Sequence, residues 1–284
     1  MEAGPLVTLD EIRRAGERLR SVALHTPLLA WDETTWLKPE SLQPVGSFKI
    51  RGAYNKIAML TDVERSRGVI TYSSGNHAQG VARAARLLGV PATIVMPDNA
   101  PAVKVAGVDG DGARIVRCGP SSDERRALAE RLAETERLTL VPPYDDADVI
   151  AGQGTIGLEI VADLRDVTSV LVPVGGGGLS SGVATAVKEL RPAATVVGVE
   201  PEVAADARDS LRAGRVVAWP AEAVARTMAD GMRAQQLGTL PFAHLRRYLD
   251  DIVTVTEDEI ADAVRGLART ARLVVEPSGA TALA

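Results

Sequence analysis

A lysine stands in a short segment whose residues are suited to covalent chemistry. Lys49 follows Phe48 and comes just before Arg51-Gly52-Ala53, which is typical of the start of a helix. Burial lowers the pKa of a lysine, and the neutral amine then reacts readily with a carbonyl group to form a Schiff base. The alternative is an exposed lysine at a helix start, which is the commoner situation for lysines in general. Lys49 is therefore a candidate nucleophile, and its neighbours alone do not decide between the two interpretations.

Four consecutive glycines form a second candidate site. Gly175 to Gly178 follow the apolar run Val172-Pro173-Val174 and precede Leu179, which is the order strand, turn and helix. Consecutive glycines allow backbone N–H groups to converge on an anion, and a helix N-terminus adds favourable partial charge. No Lys-Ser or Lys-Thr pair follows and the Gly-x-Gly-x-x-Gly spacing is absent, which excludes the two common nucleotide-binding loops. The run predicts a phosphate cradle or, alternatively, a tight turn without a ligand.

Polar residues at the end of a strand form a third candidate site. The predicted strand Gly68 to Tyr72 leads into Ser73-Ser74-Gly75-Asn76-His77, and a helix follows. Ligands of open α/β sheets bind at the carboxyl ends of the strands, and hydroxyl, amide and N–H groups together suit a carboxylate. Acyl-transfer chemistry by a serine is excluded, because no Gly-x-Ser-x-Gly elbow and no convincing triad acid are present. The alternative for His77 is a buried structural histidine.

Two acids after a later strand are candidate metal ligands. Glu200 and Asp206 flank the short segment from Pro201 to Ala205. Their oxygens, a backbone carbonyl and water molecules are the ligands that Mg²⁺ and Ca²⁺ prefer. Solvated loop acids are the alternative, and two acids at this spacing do not decide between the two.

The elements that must position these groups alternate between strands and helices. Runs of β-branched residues predict strands, among them Ala92 to Met96, Ser169 to Val174, Thr195 to Glu200 and a late strand at Leu273 to Val275. Helical patterns separate them, for example at Asp123 to Leu138. Strands that alternate with helices favour parallel sheets covered on both faces. The pattern therefore predicts an α/β protein.

The composition of the chain excludes several classes of protein. Of its 284 residues 24% are charged, which is an ordinary share for a globular protein. The net charge of −5 argues against a nucleic-acid-binding surface, which would need clustered Lys and Arg residues. No apolar run approaches the length of a membrane span. The single cysteine, Cys118, cannot form an internal disulfide, and residues 1–13 lack the apolar core of a signal peptide. We expect a cytoplasmic protein without a nucleic-acid or membrane partner.

Several segments together resemble one known family. Gly46 to Ala53, preceded by Lys38-Pro39-Glu40-Ser41-Leu42-Gln43, resembles the lysine segment of the pyridoxal-phosphate dependent serine/threonine dehydratases. The glycine run, Thr227 to Gly231 and Glu276 to Ala280 also match that family. The family continues beyond the position of Ala284 to a Ser-Gly-Gly-Asn stretch that faces the ring nitrogen. We therefore expect that this sequence lacks part of the family's chain.

The resemblance also implies a fold and an assembly. The family has the tryptophan-synthase-β fold (fold type II), with two open, mostly parallel sheets, helices on both faces and the cofactor in the cleft between them. On this chain it implies a large, discontinuous cofactor-binding domain of residues 1–60 and 147–284. Residues 61–146 would form a small, mobile substrate domain. A homodimer is the assembly that the family leads us to expect.

Roles for individual residues follow from the same resemblance. Lys49 would bind pyridoxal 5′-phosphate as a Schiff base and act as the catalytic base. The residues expected to bind the cofactor are Phe48, Lys49, Asn76, Gly175, Gly176, Gly177, Gly178, Leu179 and Gly231. Those expected to bind the substrate are Ser73, Ser74, Asn76 and His77, with Ser73, Ser74 and His77 lining the site for its carboxylate. Metal-activated relatives use a Glu, a carbonyl and an Asp, which align with Glu200, Ala204 and Asp206 as ligands of an optional Mg²⁺ or Ca²⁺.

The implied activity is that of an ammonia-lyase, which converts L-threonine, L-serine or a related β-hydroxy amino acid to a 2-oxo acid and ammonia. Ser74 keeps a second activity open, because serine racemases and hydroxyaspartate-acting relatives have serine there, as do some plain dehydratases. A racemase for serine or hydroxyaspartate would use Lys49 and Ser74 as two bases, since one lysine reaches only one face of the substrate. A third alternative is an inactive, cofactor-binding partner protein, against which the intact Lys49, Asn76 and glycine run argue.

Overall fold

The computed structural model describes residues 4–73, 75–119 and 121–284 as a mixed α/β protein. The strands are β1 (Leu29–Ala30), β2 (Trp36–Leu37), β3 (Val69–Thr71), β4 (Ala92–Pro97), β5 (Arg114–Cys118), β6 (Thr139–Leu140), β7 (Ser169–Pro173), β8 (Thr195–Pro201) and β9 (Asp251–Val255). The α-helices are α1 (Leu9–Leu19), α2 (Lys49–Ala58), α3 (Asp62–Arg67), α4 (Asn76–Leu88), α5 (Ala102–Asp109), α6 (Ser122–Glu136), α7 (Ala147–Asp163), α8 (Gly178–Leu190), α9 (Asp206–Ala213), α10 (Ala221–Val224), α11 (Thr239–Tyr248), α12 (Glu257–Gly266) and α13 (Pro277–Ala280). Within these described segments, no helix has both the length and the apolar character needed to span a bilayer.

The first sheet consists of four parallel strands in the order β5-β4-β3-β6. β3 is buried along its whole length and pairs on both sides, with Ile70 opposite Thr93 of β4 and Leu140 of β6. Apolar residues of α2 and α4 cover one face of the sheet, and those of α6 pack on the other. The β-branched runs seen in the sequence therefore form an interior sheet, because parallel strands are stable when both faces are covered.

The second sheet is also parallel, with the strand order β7-β8-β9. It packs against α7 and α8 through an apolar cluster that includes Ile156, Val183 and Val196. The two helices approach closely, and a Cβ atom at Gly182 would overlap the backbone of Ile150 and Gly154. Glycine in these helices is therefore a packing requirement. The packing fixes the start of α8, and thus the glycine run, at the carboxyl end of β7.

The prediction of a late strand at residues 273–275 is wrong. These residues are not part of a sheet, and Val274 is 94% exposed. They form one wall of an apolar groove of about 1010 Å³, which is also lined by Phe48 and by Leu171 at the edge strand β7. An apolar run becomes a strand only where a neighbouring strand pairs with its N–H and C=O groups. Among the described strands, none pairs with these three residues.

Helix α2 lies between the two sheets and contacts helices that belong to each. On the α7 side, a Cβ atom at Gly52 would lie 2.8 Å from the carbonyl oxygen of Val149. On the α4 side, a Cβ atom at Gly80 would lie 3.0 Å from the backbone carbon of Lys49. Lys49, the first residue of α2, therefore stands at the junction of the two sheets. The domain boundaries at residues 60/61 and 146/147 stay a prediction.

Candidate active site

The amine of Lys49 is held at the carboxyl end of the first sheet. Its Nζ donates a hydrogen bond of 2.7 Å to the carbonyl oxygen of Pro143, in the loop that follows β6. The same Nζ lies 5.2 Å from the centre of the Phe48 ring. Burial lowers the pKa of Lys49 to about 8, because desolvation disfavours the charged amine. The interpretation of Lys49 as an exposed lysine therefore does not fit, and the neutral, reactive fraction of the amine near pH 7 is much larger than that of an ordinary lysine.

The lowered pKa of Lys49 predicts how the capture of an aldehyde depends on pH. With a pKa of about 8, the neutral fraction of the amine rises from about one tenth at pH 7 to about nine tenths at pH 9. We therefore expect cofactor-free protein to form an imine with pyridoxal phosphate about tenfold faster at pH 9 than at pH 7, with a plateau above pH 9. Free Nα-acetyl-lysine, measured in parallel, should become about a hundredfold faster over the same range. Equal pH slopes for protein and free lysine would contradict a desolvated Lys49.

The first turn of α2 is anchored by a buried group of charges around Arg51. The Arg51 side chain is 1% exposed and makes paired hydrogen bonds with the carboxylates of Glu40 and Glu159, at 2.6 to 3.0 Å. It also donates to Thr155 Oγ1 at 3.1 Å, and Lys38 Nζ lies 2.6 Å from Glu159. Planar guanidinium groups suit such bidentate contacts. Arg51 therefore fixes α2 against α7 two residues after the reactive lysine.

The glycine run forms an open set of donors at the start of α8. Gly177 has a φ of +91°, which favours glycine. Among the hydrogen bonds of the described residues, none is donated by the backbone N–H groups of residues 175–180. The first N–H groups of a helix have no partner within the helix, and together with its dipole they bind anions. The loop therefore fits the phosphate of a cofactor, and Lys49 fits its aldehyde.

The segment after β3 brings two of its predicted residues to the same end of the sheet. The Ser73 hydroxyl accepts a hydrogen bond of 3.3 Å from Gly75 N–H. Asn76 begins α4, and its Nδ2 donates to Glu276 Oε1 at 2.5 Å. Ser74 lies outside the described residues, so its predicted role stays a prediction. Asn76 is thus held at this end of the first sheet by a residue two hundred positions away.

His77 is buried and neutral. Its Nε2 donates to the carbonyl oxygen of Val141 at 2.9 Å, which fixes the tautomer with the proton on Nε2. Burial, aided by the nearby charge of Lys49, lowers the pKa of His77 to about 3. This side chain ties the start of α4 to the loop after β6. Its predicted contact with the substrate carboxylate stays a prediction, with only Nδ1 left for that purpose.

Loops that follow strands of the second sheet lie beside the glycine run. Gly231 donates from its N–H to Ser278 Oγ at 2.9 Å, and a Cβ atom at Gly175 would lie 3.4 Å from the Gly231 carbonyl oxygen. Asp230 is ion-paired at 2.5 Å with Lys104 of α5, which belongs to the first sheet's side. The predicted cofactor residue Gly231 therefore adjoins the glycine run.

Sequence reasoning missed several residues of this site. Glu276 stands in a matched motif to which no role was attached, and Lys104 belongs to no motif. Pro143 and Tyr144 follow β6 with no distinguishing pattern of their own. These four residues contribute to the site through contacts with residues distant in the chain, and the local sequence around them does not indicate such contacts.

The predicted metal ligands lie together and are buried. Glu200 accepts hydrogen bonds from the N–H groups of Ala207 and Arg208, at 3.1 and 2.9 Å. Asp206 is 1% exposed, and neither of its carboxylate oxygens has a hydrogen-bond partner among the residues that the structure describes. Burial raises the pKa of Asp206 to about 7, and burial with the charge of Asp206 raises that of Glu200. Orphaned buried carboxylate oxygens fit a hard cation.

The neighbouring Ala204 is buried too and stands between the two acids in the chain. In the part of the chain that the structure describes, no group of three or more His, Cys, Asp or Glu side chains could hold a metal ion. A cation at Glu200 and Asp206 would therefore need the Ala204 carbonyl and water as further ligands.

Comparison with known proteins agrees with this geometry. Residues 21–284 match a family model described as pyridoxal-phosphate dependent enzyme. The chain is 47% identical to an L-threonine ammonia-lyase of Thermotoga maritima, over 98% of this chain and 71% of that protein. It is 42% identical to an L-threo-3-hydroxyaspartate ammonia-lyase of Saccharomyces cerevisiae, over 95% of this chain and 84% of that protein.

Solved structures match over nearly the whole chain. The serine racemase of Dictyostelium discoideum is 36% identical with a TM-score of 0.91, and the match covers 98% of this chain and 90% of that one. Maize serine racemase is 37% identical with a TM-score of 0.94, over 99% of this chain and 87% of that one. The predicted fold, two open parallel sheets of fold type II, is confirmed. The desolvated Lys49, the open set of donors at the glycine run and these similarities lead to one conclusion: the chain belongs to the family of pyridoxal-phosphate dependent enzymes.

Proposed function

We propose that this protein is an ammonia-lyase that converts L-threonine, L-serine or a related β-hydroxy amino acid to a 2-oxo acid and ammonia. The observation that carries the proposal is the pairing of a desolvated Lys49 with a glycine loop whose N–H groups have no acceptor among the described residues. The chain's 47% identity to a protein named L-threonine ammonia-lyase supports elimination as the reaction.

The residues of the cleft suit this reaction. When bound, pyridoxal phosphate accepts the electron pair that is released at the substrate Cα. Lys49 would take the Cα proton, since its pKa of about 8 lies close to the working pH of a general base. The N–H groups of residues 175–180 would hold the phosphate. His77 stays neutral at physiological pH and would position the Ser73 loop through its bond to Val141.

The test is an assay of the purified protein with pyridoxal phosphate and three substrates in turn: L-threonine, L-serine and L-threo-3-hydroxyaspartate. The expected result is a 2-oxo acid and ammonia in equal amounts from at least one of them, with D-threonine as the inactive control. An absorbance band that shifts with all three amino acids while no 2-oxo acid is formed would overturn the proposal.

A racemase is the second candidate, because maize serine racemase matches 99% of this chain. It would need a second base on the face opposite Lys49, and Ser74 stays the predicted one. Chiral chromatography of the same reactions separates the candidates. D-serine or D-hydroxyaspartate formed by the wild type but not by Ser74→Ala would favour the racemase, and no D-amino acid would exclude it.

We also propose that Glu200, the Ala204 carbonyl and Asp206 bind Mg²⁺ or Ca²⁺. The binding energy would appear as stability, and a cation at a hundred times its Kd stabilises the folded state by about 2.7 kcal/mol. We expect CaCl₂ or MgCl₂ to raise the melting temperature of the wild type but not of Asp206→Asn. Without cation, Asp206→Asn should be at least as stable as the wild type, because it removes a buried charge near Glu200.

The control for this measurement is Asp262→Asn, since Asp262 is an exposed partner of Arg265. This variant should keep the full response to the cation. An equal rise of the melting temperature in Asp206→Asn and the wild type would contradict the cation site.

We further propose a cytoplasmic homodimer that acts on a small-molecule amino acid. The support is the family resemblance and the single, unpaired Cys118. Size-exclusion chromatography with light scattering tests the assembly, and a monomer at micromolar concentration would contradict it.

A further inference from the structure

We infer that Tyr144 is a positioning residue that fixes the glycine loop, Gly175 to Gly178, in its phosphate-binding shape. The Tyr144 ring lies directly on the loop, so that a Cβ atom at Gly176 would overlap three carbon atoms of the ring. A Cβ atom at Gly178 would lie 2.9 Å from both Cα and Cβ of Tyr144. The residues at 176 and 178 must therefore be small because Tyr144 occupies the adjacent space.

The loop needs such support because it has no side chains of its own. Glycine loses more conformational freedom on ordering than any other residue, and four in sequence hold a defined shape only if their neighbours confine them. The opposite face is covered by other residues, since a Cβ atom at Gly177 would lie 2.7 Å from Pro241 Cβ and 2.9 Å from Leu237 Cδ2. The loop is thus enclosed between Tyr144 on one face and the start of α11 on the other.

Hydrogen bonds fix the residues that precede and follow Tyr144 in the chain. The carbonyl oxygen of the preceding Pro143 accepts the hydrogen bond from Lys49 Nζ. The following Asp145 accepts hydrogen bonds from the N–H groups of Thr239 and Leu240, at 2.9 and 3.0 Å. Residues 143–145 therefore link the reactive amine, the glycine loop and α11. Preorganised donors bind an anion better than mobile ones, because no ordering cost is added on binding.

The test compares pyridoxal phosphate with pyridoxal, which has the same aldehyde but no phosphate. The inference rests on the proposed role of Lys49 in binding that aldehyde. Protein freed of cofactor with hydroxylamine is titrated with each compound, and imine absorbance gives the two Kd values. Their ratio is the contribution of the phosphate to affinity.

We expect the ratio to be unchanged in Tyr144→Phe, which keeps the ring. In Tyr144→Ala it should fall about tenfold or more, with the Kd for pyridoxal little changed, because only the phosphate uses the loop. A merely structural role would weaken both compounds equally, so an unchanged ratio in Tyr144→Ala would overturn the inference. If the wild type formed no imine with either compound, the role of Lys49 would fail instead.

A double-mutant cycle with Gly176 gives an independent measurement. Gly176→Ala in the wild type places a methyl group against the Tyr144 ring and should weaken pyridoxal phosphate binding. In the Tyr144→Ala background the same change has free space and should weaken it much less. Coupled effects of this kind are the signature of direct contact. Strictly additive effects of the two substitutions would overturn the inference.

Discussion

Replacement of Lys49 by alanine is expected to abolish both the imine absorbance and turnover. The Lys49 amine is the only group proposed to bind the cofactor covalently, and it is also the proposed base. Loss of a general base alone costs up to about 10⁴-fold in rate, and loss of the covalent link adds to this. The measurement is an absorbance scan with pyridoxal phosphate followed by the 2-oxo acid assay. An imine band retained in Lys49→Ala would contradict the assignment.

Lys56→Ala is the matched control for this experiment. Lys56 lies on the same helix, but its Nζ is ion-paired with Asp146 at 2.8 Å and Asp148 at 3.1 Å. Such pairing favours the charged amine, which does not attack a carbonyl. This variant should keep the imine band and its response to substrate. Loss of the band in both variants would indicate that the fold of α2, and not the amine of Lys49, had been tested.

Arg51→Met is expected to lower the free energy of unfolding by about 3 kcal/mol or more, because removal of one partner leaves buried charges uncompensated. In this variant Glu40 and Glu159 would each lose a bidentate partner. Glu159 would keep only Lys38 among its cationic partners described here. Urea unfolding of the wild type and the variant, followed by circular dichroism, measures the difference.

The control for the Arg51 experiment is Arg265→Met. Arg265 is ion-paired with Asp262, and both side chains are mostly exposed. Exposed pairs contribute little to stability, because water screens the charges and holding long side chains costs entropy. A loss of stability in Arg51→Met no larger than in Arg265→Met would show that the buried charges do not anchor α2.

Local patterns were sufficient to predict the interior strands. The predicted strand Gly68 to Tyr72 is β3 (Val69–Thr71), and Ala92 to Met96 is β4 (Ala92–Pro97). These runs combine β-branched residues with turn signals on both sides, and such residues suit a covered sheet. Strand β9 (Asp251–Val255) was not predicted. Its pairing with β8 depends on a neighbour about fifty residues away in the chain.

Helix α7 illustrates where a local pattern misleads. It contains several glycines, Gly152 among them, yet it starts at Ala147, where Asp146 caps it by accepting from the N–H groups of Asp148 and Val149. The glycines of α7 allow it to pack closely against α2. A Cβ atom at Gly152 would lie 2.6 Å from Gly52 Cα. Glycine weakens an isolated helix, so only the packing explains why the helix forms there.

The sequence by itself determined which chemical groups the protein has and the order in which they occur: a lysine at a helix start, a run of four glycines, and polar residues after β3. These follow from residue types and short spacings. The tertiary structure decided the properties that depend on distant atoms. Burial at the junction of the two sheets lowers the pKa of Lys49 to about 8, and Glu276 holds Asn76. Tyr144 confines the glycine run from a distant part of the chain, because desolvation and packing arise only when the chain has folded.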